Sequence, residues 1–220
     1  MGHSSSPKNT WVHRLLQSAL LCLFATANSA LAEPSGLAAS AGQIRLSNWQ
    51  QLLKNSTHLD EPGKLEAVNR LVNLSVAYVS DQQAWGQNDY WATPEETLRL
   101  GQGDCEDFAI AKYFALLKLG VAVERLRLTY VKALGRNSAH MVLAYYPSPN
   151  AQPLILDNLN SQILPAAARR DLLPVYAFNG QGIYLAKAPN QKLRHPTTLL
   201  ARWDELSARL NSASNPQPLL

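Results

Sequence analysis

The spacing of apolar residues changes at Gly120, and this change constrains the possible fold more than any other feature of the sequence. Before Gly120, residues 61–81 and 104–120 carry apolar side chains at helical spacing. After it, five segments separated by turn-forming residues have the patterns of strands: 124–131, 139–146, 153–157, 174–178 and 182–186. Helices followed by consecutive antiparallel strands predict an α+β fold.

Three further segments predict helices. Residues 46–55 form a short helix near the start of the domain, and residues 196–210 form a last helix after the strands. Residues 93–101 begin with a T-x-x-E capping box made by Thr93 and Glu96, which marks a helix N-terminus. We find no internal repeats.

The first residues have the layout of a secretory signal peptide. Lys8 and Arg14 precede the apolar run 15–27, and an A-x-A cleavage site ends at Ala32. This run is shorter than the about 20 apolar residues that span a bilayer. We therefore predict a cleaved signal peptide over residues 1–32 and an exported protein, rather than one held permanently in the membrane.

The mature chain divides into three parts. Small and polar residues over 33–43 predict a linker. Residues 44–212 predict one domain, which is long enough to bury a core. Residues 213–220 predict a disordered tail.

Cleavage would change both the charge and the cysteine content. It removes two basic residues and no acid, so the formal net charge falls from +4 to +2. Because no basic stripe with interleaved aromatic residues remains, we expect no nucleic-acid partner. It also removes Cys22 and leaves Cys105 as the one cysteine. A lone thiol in an oxidising compartment is expected to be buried or used.

Three carboxylates surround this thiol in the stretch GQGDCEDFA, where Cys105 has Asp104, Glu106 and Asp107 as close neighbours. Negative neighbours oppose thiolate formation. However, Cys105 is predicted in the first turn of a helix, where backbone N–H groups and the helix dipole favour a thiolate and can bind an oxyanion.

The acids have two explanations. The first is complementation of the helix dipole, with Asp104 as the N-cap. The second is a bound Ca²⁺ ion, which takes carboxylate oxygens and would cancel the local negative charge. In that case Asp104 and Glu106 are the expected ligands, and the loop upstream could add Asn88 or Asp89.

A cysteine nucleophile needs a base, and His140 is the candidate because His58 and His195 lie in polar loops. A hairpin turn centred on residues 148–149 would place His140 opposite Asp157, on one face of the sheet. A carboxylate in that position orients an imidazole. Taken separately, His140 could be a core histidine bonded to backbone and Asp157 a turn residue at a strand end.

The sequence resembles the bacterial transglutaminase-like cysteine proteinases from about residue 46 to 187. The resemblance is carried by the segments D-C-E-D-F-A, A-H-M-V-L and L-D-N-L, in that order. It implies a papain-like, transglutaminase-type core in which N-terminal helices precede an antiparallel sheet. It also implies a catalytic triad of Cys105, His140 and Asp157.

The same resemblance implies calcium dependence, with Asp104 and Glu106 as ligands; Asp107 matches the motif as a further ligand. Family members are periplasmic and cut a large surface adhesin near its N-terminus, at a double-alanine site. This releases the adhesin and disperses biofilm. An inner-membrane receptor that senses cyclic di-GMP inhibits them.

The residues alone leave the reaction open. Backbone N–H at Cys105 is one expected oxyanion donor, and Trp85, Trp91 and Gln102 are candidates for the second. Water would complete hydrolysis of a thioester, whereas an amine would complete a transglutaminase-type transfer, with or without calcium. A third possibility is a non-catalytic exported binding module with a calcium-stabilised loop. The resemblance favours hydrolysis.

Overall fold

The computed structural model describes residues 36–185, 188–193 and 197–214, and the predicted signal peptide lies outside them. These residues form six α-helices: α1 Gly36–Asn55, α2 Glu61–Ser75, α3 Asp81–Ala84, α4 Pro94–Leu100, α5 Cys105–Lys118 and α6 Thr197–Ser214. They also form nine strands: β1 Ala77–Tyr78, β2 Gln102–Gly103, β3 Leu126–Ala133, β4 Ser138–Tyr145, β5 Leu154–Leu156, β6 Leu164–Pro165, β7 Leu172–Asn179, β8 Gly182–Leu185 and β9 Ala188–Leu193.

The predicted α+β class is confirmed. Seven strands form one antiparallel sheet in the order β6-β5-β4-β3-β7-β8-β9. Helix α5 packs against β4 and β3 at the centre of this sheet. Its apolar residues share one buried cluster with the inward side chains of both strands, such as Leu128 and Leu143. This packing buries α5 on several sides, which explains why even its polar residue Lys112 is buried.

The helix predicted over residues 61–81 is shorter in the structure. It begins after the N-cap Asp60, whose side chain accepts the Gly63 N–H at 2.9 Å, and it ends at Ser75. The next residues are extended, because backbone N–H groups of Ala77 and Val79 donate to carbonyl groups of the 101–103 segment. These tertiary bonds override the helical spacing of the apolar residues and create the parallel pair of β1 and β2.

The predicted linker is also partly wrong, because α1 begins at Gly36 and includes residues 36–43. Helix α1 packs closely on α4 at Gly42, where an added Cβ atom would lie 2.5 Å from the Arg99 carbonyl oxygen. Arg45 strengthens this contact by donating from Nε to the Leu98 carbonyl at 2.6 Å. At the other end of the chain, α6 extends to Ser214, into the segment predicted as a tail.

The capping box of α4 is confirmed. The Thr93 hydroxyl accepts the Glu96 N–H at 3.2 Å, and the Glu96 carboxylate accepts the Thr93 N–H at 2.7 Å. The helix ends at Gly101, whose φ of 72° is left-handed and suits glycine. This helix therefore starts and stops where the sequence predicts, and Gly101 leads directly into β2 and the Cys105 helix.

The predicted hairpin of residues 139–146 and 153–157 is present, with its turn placed one residue later than expected. Leu143 lies opposite Leu156 in the β4–β5 pair, which centres the turn on residues 149–150. Asn179 lies opposite Gly182 in the β7–β8 pair, which makes Gly180 and Gln181 the turn residues. A turn displaced by one residue shifts the pairing by two, so every side chain keeps its predicted face.

Within the described parts of the chain, no helix combines the length and the hydropathy that a membrane span needs.

Candidate active site

The first turn of α5 presents Cys105 as predicted. Asp104 is the N-cap and accepts the Glu106 N–H at 3.2 Å. Asp107 completes a capping box by accepting the Asp104 N–H at 3.4 Å. Cys105 is 7% exposed, so the thiol lies just beneath the surface at the positive end of the helix dipole.

The thiol lies beside the strand that carries His140. The backbone N–H of Met141, the next residue on β4, acts in the direction of a lower pKa for Cys105. The thiol donates to Glu106 Oε2 at 2.7 Å. Burial, followed by the charge of Glu106, strongly raises the pKa of Cys105. Without a cation nearby, these acids therefore keep the thiol protonated.

His140 and Asp157 form the buried pair that the sequence predicts. The exposed fractions of the two residues are 4% and 1%, and His140 Nε2 lies 2.8 Å from Asp157 Oδ1. Because a carboxylate can only accept, this contact places the ring proton on Nε2 and leaves Nδ1 able to accept a proton. The two residues lie diagonally across the hairpin rather than directly opposite, as the displaced turn requires.

Asp157 is held by further bonds that the sequence did not reveal. Its Oδ1 also accepts the Leu159 N–H at 3.0 Å, and its Oδ2 accepts Arg169 Nη2 at 2.7 Å. Burial raises the pKa of Asp157, but the bond and charge of His140, the Leu159 N–H and Arg169 outweigh burial and lower the pKa to about 2. The carboxylate is therefore ionised at neutral pH.

Helix α2 fixes the backbone that carries Asp157. Asn73 donates to the Asp157 carbonyl at 2.9 Å, and Asn69 donates to the Ser161 carbonyl at 2.9 Å. The two asparagines lie one turn apart on α2. In the sequence, these two asparagines are four residues apart, beside the apolar stripe of the helix. The sequence does not show which backbone groups they bind.

Three aspartates meet next to the thiol. One carboxylate oxygen from each of Asp81, Asp104 and Asp107 lies within 4.8 Å of the others. Asp81 stands at the start of α3 and was not among the predicted site residues. Its Oδ2 accepts the Tyr90 N–H at 2.6 Å, whereas its buried Oδ1 has no hydrogen-bond partner among the described residues.

The aspartate cluster is electrostatically strained. Burial and the neighbouring carboxylates raise the pKa of Asp81 to about 6. Burial and Glu106 raise the pKa of Asp104 to about 8. Burial, with Asp104 and Asp81, also raises the pKa of Asp107 to about 8. A divalent cation would relieve this repulsion and would use the unpartnered Asp81 oxygen, so the cluster fits a hard cation such as Ca²⁺.

Glu106 contacts the thiol, because its Oε2 accepts the Cys105 S–H. Its carboxylate forms a second group with Asp104 and the Cys105 sulfur, away from Asp81 and Asp107. Asp107 lies in the cluster as predicted and is fully buried, where it accepts the Ala92 N–H at 2.8 Å. The assignment of Glu106 as a metal ligand stays a prediction.

The remaining candidate residues have other contacts. Asp89 accepts Trp91 Nε1 at 3.1 Å and Arg202 Nε at 3.2 Å. Trp85 Nε1 donates to Asp107 at 3.4 Å, so both candidate indoles are engaged by carboxylates. Gln102 is exposed. The second oxyanion donor therefore stays unassigned, as does the role of Asn88.

The other two histidines differ from His140. His58 is exposed, in agreement with its loop position in the sequence. His195 lies outside the described residues.

Tyrosines flank the thiol. Tyr130 and Tyr176 pack with ring centroids 4.8 Å apart on neighbouring strands. Burial, followed by the charge of Glu106, raises the pKa of Tyr130, and burial and Glu106 also raise the pKa of Tyr176. Tyr78 on β1 is 55% exposed, and its pKa is raised by burial and by Cys105.

Comparisons with known proteins identify the family. A model of the bacterial transglutaminase-like cysteine proteinases (BTLCP) matches residues 46–170, and the chain belongs to this family. LapG of Legionella pneumophila is 42% identical, over 80% of this chain and 94% of that chain, with a TM-score of 0.68. Its calcium-bound form matches with the same identity and a TM-score of 0.70, over 80% and 96%.

An EGTA-treated form of the same LapG also matches, with 42% identity and a TM-score of 0.70, over 80% of this chain and 94% of that chain. A comparison with curated proteins gave no match. The resemblance stated from the sequence motifs is confirmed by these findings.

Lys112 makes the stability of the protein depend on pH. It lies on α5 two turns after Cys105 and is 1% exposed. Burial lowers its pKa from 10.5 to about 7, although Asp157 opposes this shift. Between these two pH values the unfolded chain binds more protons than the folded chain, so stability rises with pH.

We therefore expect the free energy of unfolding of the wild-type protein to rise between pH 7 and 10 relative to Lys112→Met, by up to about 1.4 kcal/mol per pH unit. Urea unfolding at several pH values measures this difference. Lys118→Met, at an exposed position of the same helix, is the matched control and should follow the wild-type curve. Parallel curves for wild type and Lys112→Met would contradict the prediction.

Proposed function

We propose that this protein is a calcium-dependent periplasmic cysteine endopeptidase that cleaves a large surface adhesin near its N-terminus. The observation that supports the proposal is the Cys105 thiol at the N-terminus of α5, a helix that packs against β4, the strand of the His140–Asp157 pair. This arrangement supplies a nucleophile, a base and a group that orients the base. Membership of a cysteine proteinase family supports peptide-bond cleavage.

The proposed reaction begins with proton transfer from Cys105 to Nδ1 of His140. Asp157 stabilises the resulting imidazolium through Nε2. The thiolate attacks the peptide carbonyl carbon, and the Cys105 backbone N–H helps to bind the oxyanion at the helix N-terminus. His140 then protonates the leaving amine as the C–N bond breaks and a thioester forms.

The second half of the reaction consumes water. His140 removes a proton from the water molecule, which attacks the thioester carbonyl. The C–S bond then breaks, which releases a carboxylic acid product and regenerates the Cys105 thiol. The site thus returns to its starting state. An amine at this stage would give acyl transfer instead, so the nature of the second nucleophile separates a protease from a transglutaminase.

Calcium is the cofactor that we propose for the acidic cluster. Asp81, Asp104 and Asp107 are the residues that would hold it, with Glu106 as a further ligand if its side chain turns away from the thiol. The ion would neutralise the carboxylates that now oppose thiolate formation. The existence of calcium-bound and EGTA-treated LapG structures supports this assignment.

Export, the adhesin substrate and the inhibitor complete the proposal. The signal-peptide pattern of residues 1–32 supports a periplasmic location. The family resemblance supports an adhesin cut at a double-alanine site, with release of the adhesin and dispersal of biofilm. It also supports inhibition by an inner-membrane receptor for cyclic di-GMP.

A cleavage assay on gels tests the proposed function. The mature protein is mixed, in the presence of calcium, with an N-terminal fragment of a large adhesin from the same organism. Matched lanes contain Cys105→Ala and a fragment in which the double alanine is replaced by bulky residues. We expect one cut in the wild-type lane only. A cut by Cys105→Ala, or no cut of any adhesin fragment by the wild type, would contradict the proposal.

Adding a labelled primary amine to the same reaction distinguishes hydrolysis from transfer. Hydrolysis predicts two unlabelled products whose masses sum to that of the fragment plus water. Incorporation of the amine at the new C-terminus would instead identify an acyltransferase.

A further inference from the structure

Arg169 is a buried cation in contact with the buried acid of the triad. It follows a short 3-10 turn, Ala166–Ala168, and is 3% exposed. Its Nη2 donates to Asp157 Oδ2 at 2.7 Å and also to Asp171 Oδ2 at 2.8 Å. Its Nε donates to Asp171 Oδ1 at 3.0 Å. The guanidinium is therefore fixed by a two-point contact with Asp171 and presents Nη2 to Asp157.

This arrangement fixes the orientation of the Asp157 carboxylate. Arg169 binds Oδ2, and Oδ1 is then directed to His140 Nε2 and the Leu159 N–H. Rotation of the carboxylate would break bonds at both oxygens at once. Asp171 is itself anchored because its carbonyl oxygen accepts the Leu134 N–H at 2.8 Å. A continuous set of contacts thus connects Leu134, the residue after β3, to the imidazole.

Stability alone is a poor explanation for this buried pair. Charged pairs that are removed from water often contribute less to the stability of the folded state than apolar residues of the same size. The Arg169 Nη1 atom is buried and has no hydrogen-bond partner among the described residues, which adds a cost. Arg169 contacts Asp157, the residue that orients His140. This contact points to a role in the reaction.

We propose that Arg169 is a positioning residue for peptide cleavage, which fixes Asp157 so that His140 keeps its proton on Nε2 and its Nδ1 directed to Cys105. This inference rests on the proposed function, because it assigns a role within that reaction. It predicts an effect on the chemical step and none on substrate binding, since Arg169 is only 3% exposed.

Several charged groups surround Asp157, and a control variant must leave all of them in place. His140 faces it from β4, Lys112 approaches from α5, and Arg169 contacts it from the turn before β7, backed by Asp171. All four remain in the control variant Arg170→Met, which removes the neighbouring exposed arginine. Comparison of Arg169→Met with Arg170→Met therefore isolates the buried guanidinium.

The experiment has two readouts on the mature, calcium-loaded protein. The first is kcat and KM for the adhesin fragment. We expect Arg169→Met to lower kcat about 10- to 100-fold, the range found when outer partners of oriented histidines are removed from metal sites. KM should stay at the wild-type value. Arg170→Met should match the wild type in both.

The second readout is ¹⁵N NMR of the labelled His140 side chain, which does not depend on cleavage. The wild type should show the tautomer with the proton on Nε2, whereas Arg169→Met should show a mixture of tautomers. If the wild type cleaves no fragment, the proposed function fails, and this spectrum still decides the role of Arg169.

A folded Arg169→Met variant with wild-type kcat and a single Nε2–H tautomer would overturn the inference. If that variant does not fold, Arg169→Lys provides the same test. The lysine ammonium group keeps the charge but lacks the planar fork with which the guanidinium bonds to Asp157 and to both oxygens of Asp171 in one fixed geometry. We therefore expect a smaller loss of kcat and a mixed tautomer, and wild-type values in both readouts would overturn the inference.

Discussion

Replacement of Cys105 by alanine is expected to lower kcat for adhesin cleavage by about 10⁴-fold or more, because no other group can form the thioester. Stability should be maintained, since alanine also fits the first turn of α5 and the lost sulfur leaves a small space near the surface. Initial rates of fragment cleavage, followed by thermal unfolding of the same samples, measure both quantities.

Histidine variants provide the matched control for this prediction. His140→Gln should cause a loss of similar size, because the thiol then has no base and stays protonated beside Glu106. His58→Gln, at an exposed loop position, should retain wild-type activity. Comparable activity in His140→Gln and His58→Gln would contradict the proposed roles, even if Cys105→Ala were inactive.

Calcium is expected to stabilise the protein by a large amount. At a calcium concentration 1,000 times the Kd, binding to the folded state alone adds about 4 kcal/mol. For a domain of this size each kcal/mol raises Tm by about 2–4 °C, so the total shift should be roughly 10 °C. Thermal unfolding in calcium and in EGTA measures this shift directly.

Substitutions in the cluster should remove most of the shift. Asp81→Asn and Asp107→Asn each replace a charged oxygen ligand by an amide, which weakens binding of a hard cation. The EGTA-treated variants should remain folded, because removal of one carboxylate relieves repulsion in the empty cluster. Glu66→Gln, on the exposed face of α2, should keep the full calcium shift. An undiminished shift in Asp81→Asn and Asp107→Asn would contradict the proposed site.

The sequence predicted the helix position of Cys105 and the contact between His140 and Asp157 well, for physical reasons. The helix around Cys105 and the capping box of α4 are local features, and local chemistry determines them. The His140–Asp157 contact is not local, yet the alternation of side chains in strands preserved their shared face when the turn shifted. The α+β class followed from the order of the two periodicities.

The missed features depend on contacts between distant segments. Asp81 joins the cluster after the chain leaves the helical path and β1 pairs with β2. Arg169 reaches Asp157 through a turn between two short elements, for which no periodicity exists. The Glu106 carboxylate can contact either the thiol or the aspartates, and the spacing of these residues in the sequence does not determine which contact forms.

The measurement that tests the account most directly is the cleavage rate of the adhesin fragment as a function of buffered free calcium. It is made with wild type and Asp81→Asn, because Asp81 was located by the structure alone. We expect the wild-type rate to rise from near zero in EGTA to saturation, and the Asp81→Asn curve to require more calcium. A wild-type rate in EGTA equal to the rate in calcium would contradict the proposal that a bound cation makes the thiol reactive. Helix capping would then be the remaining explanation for the acids.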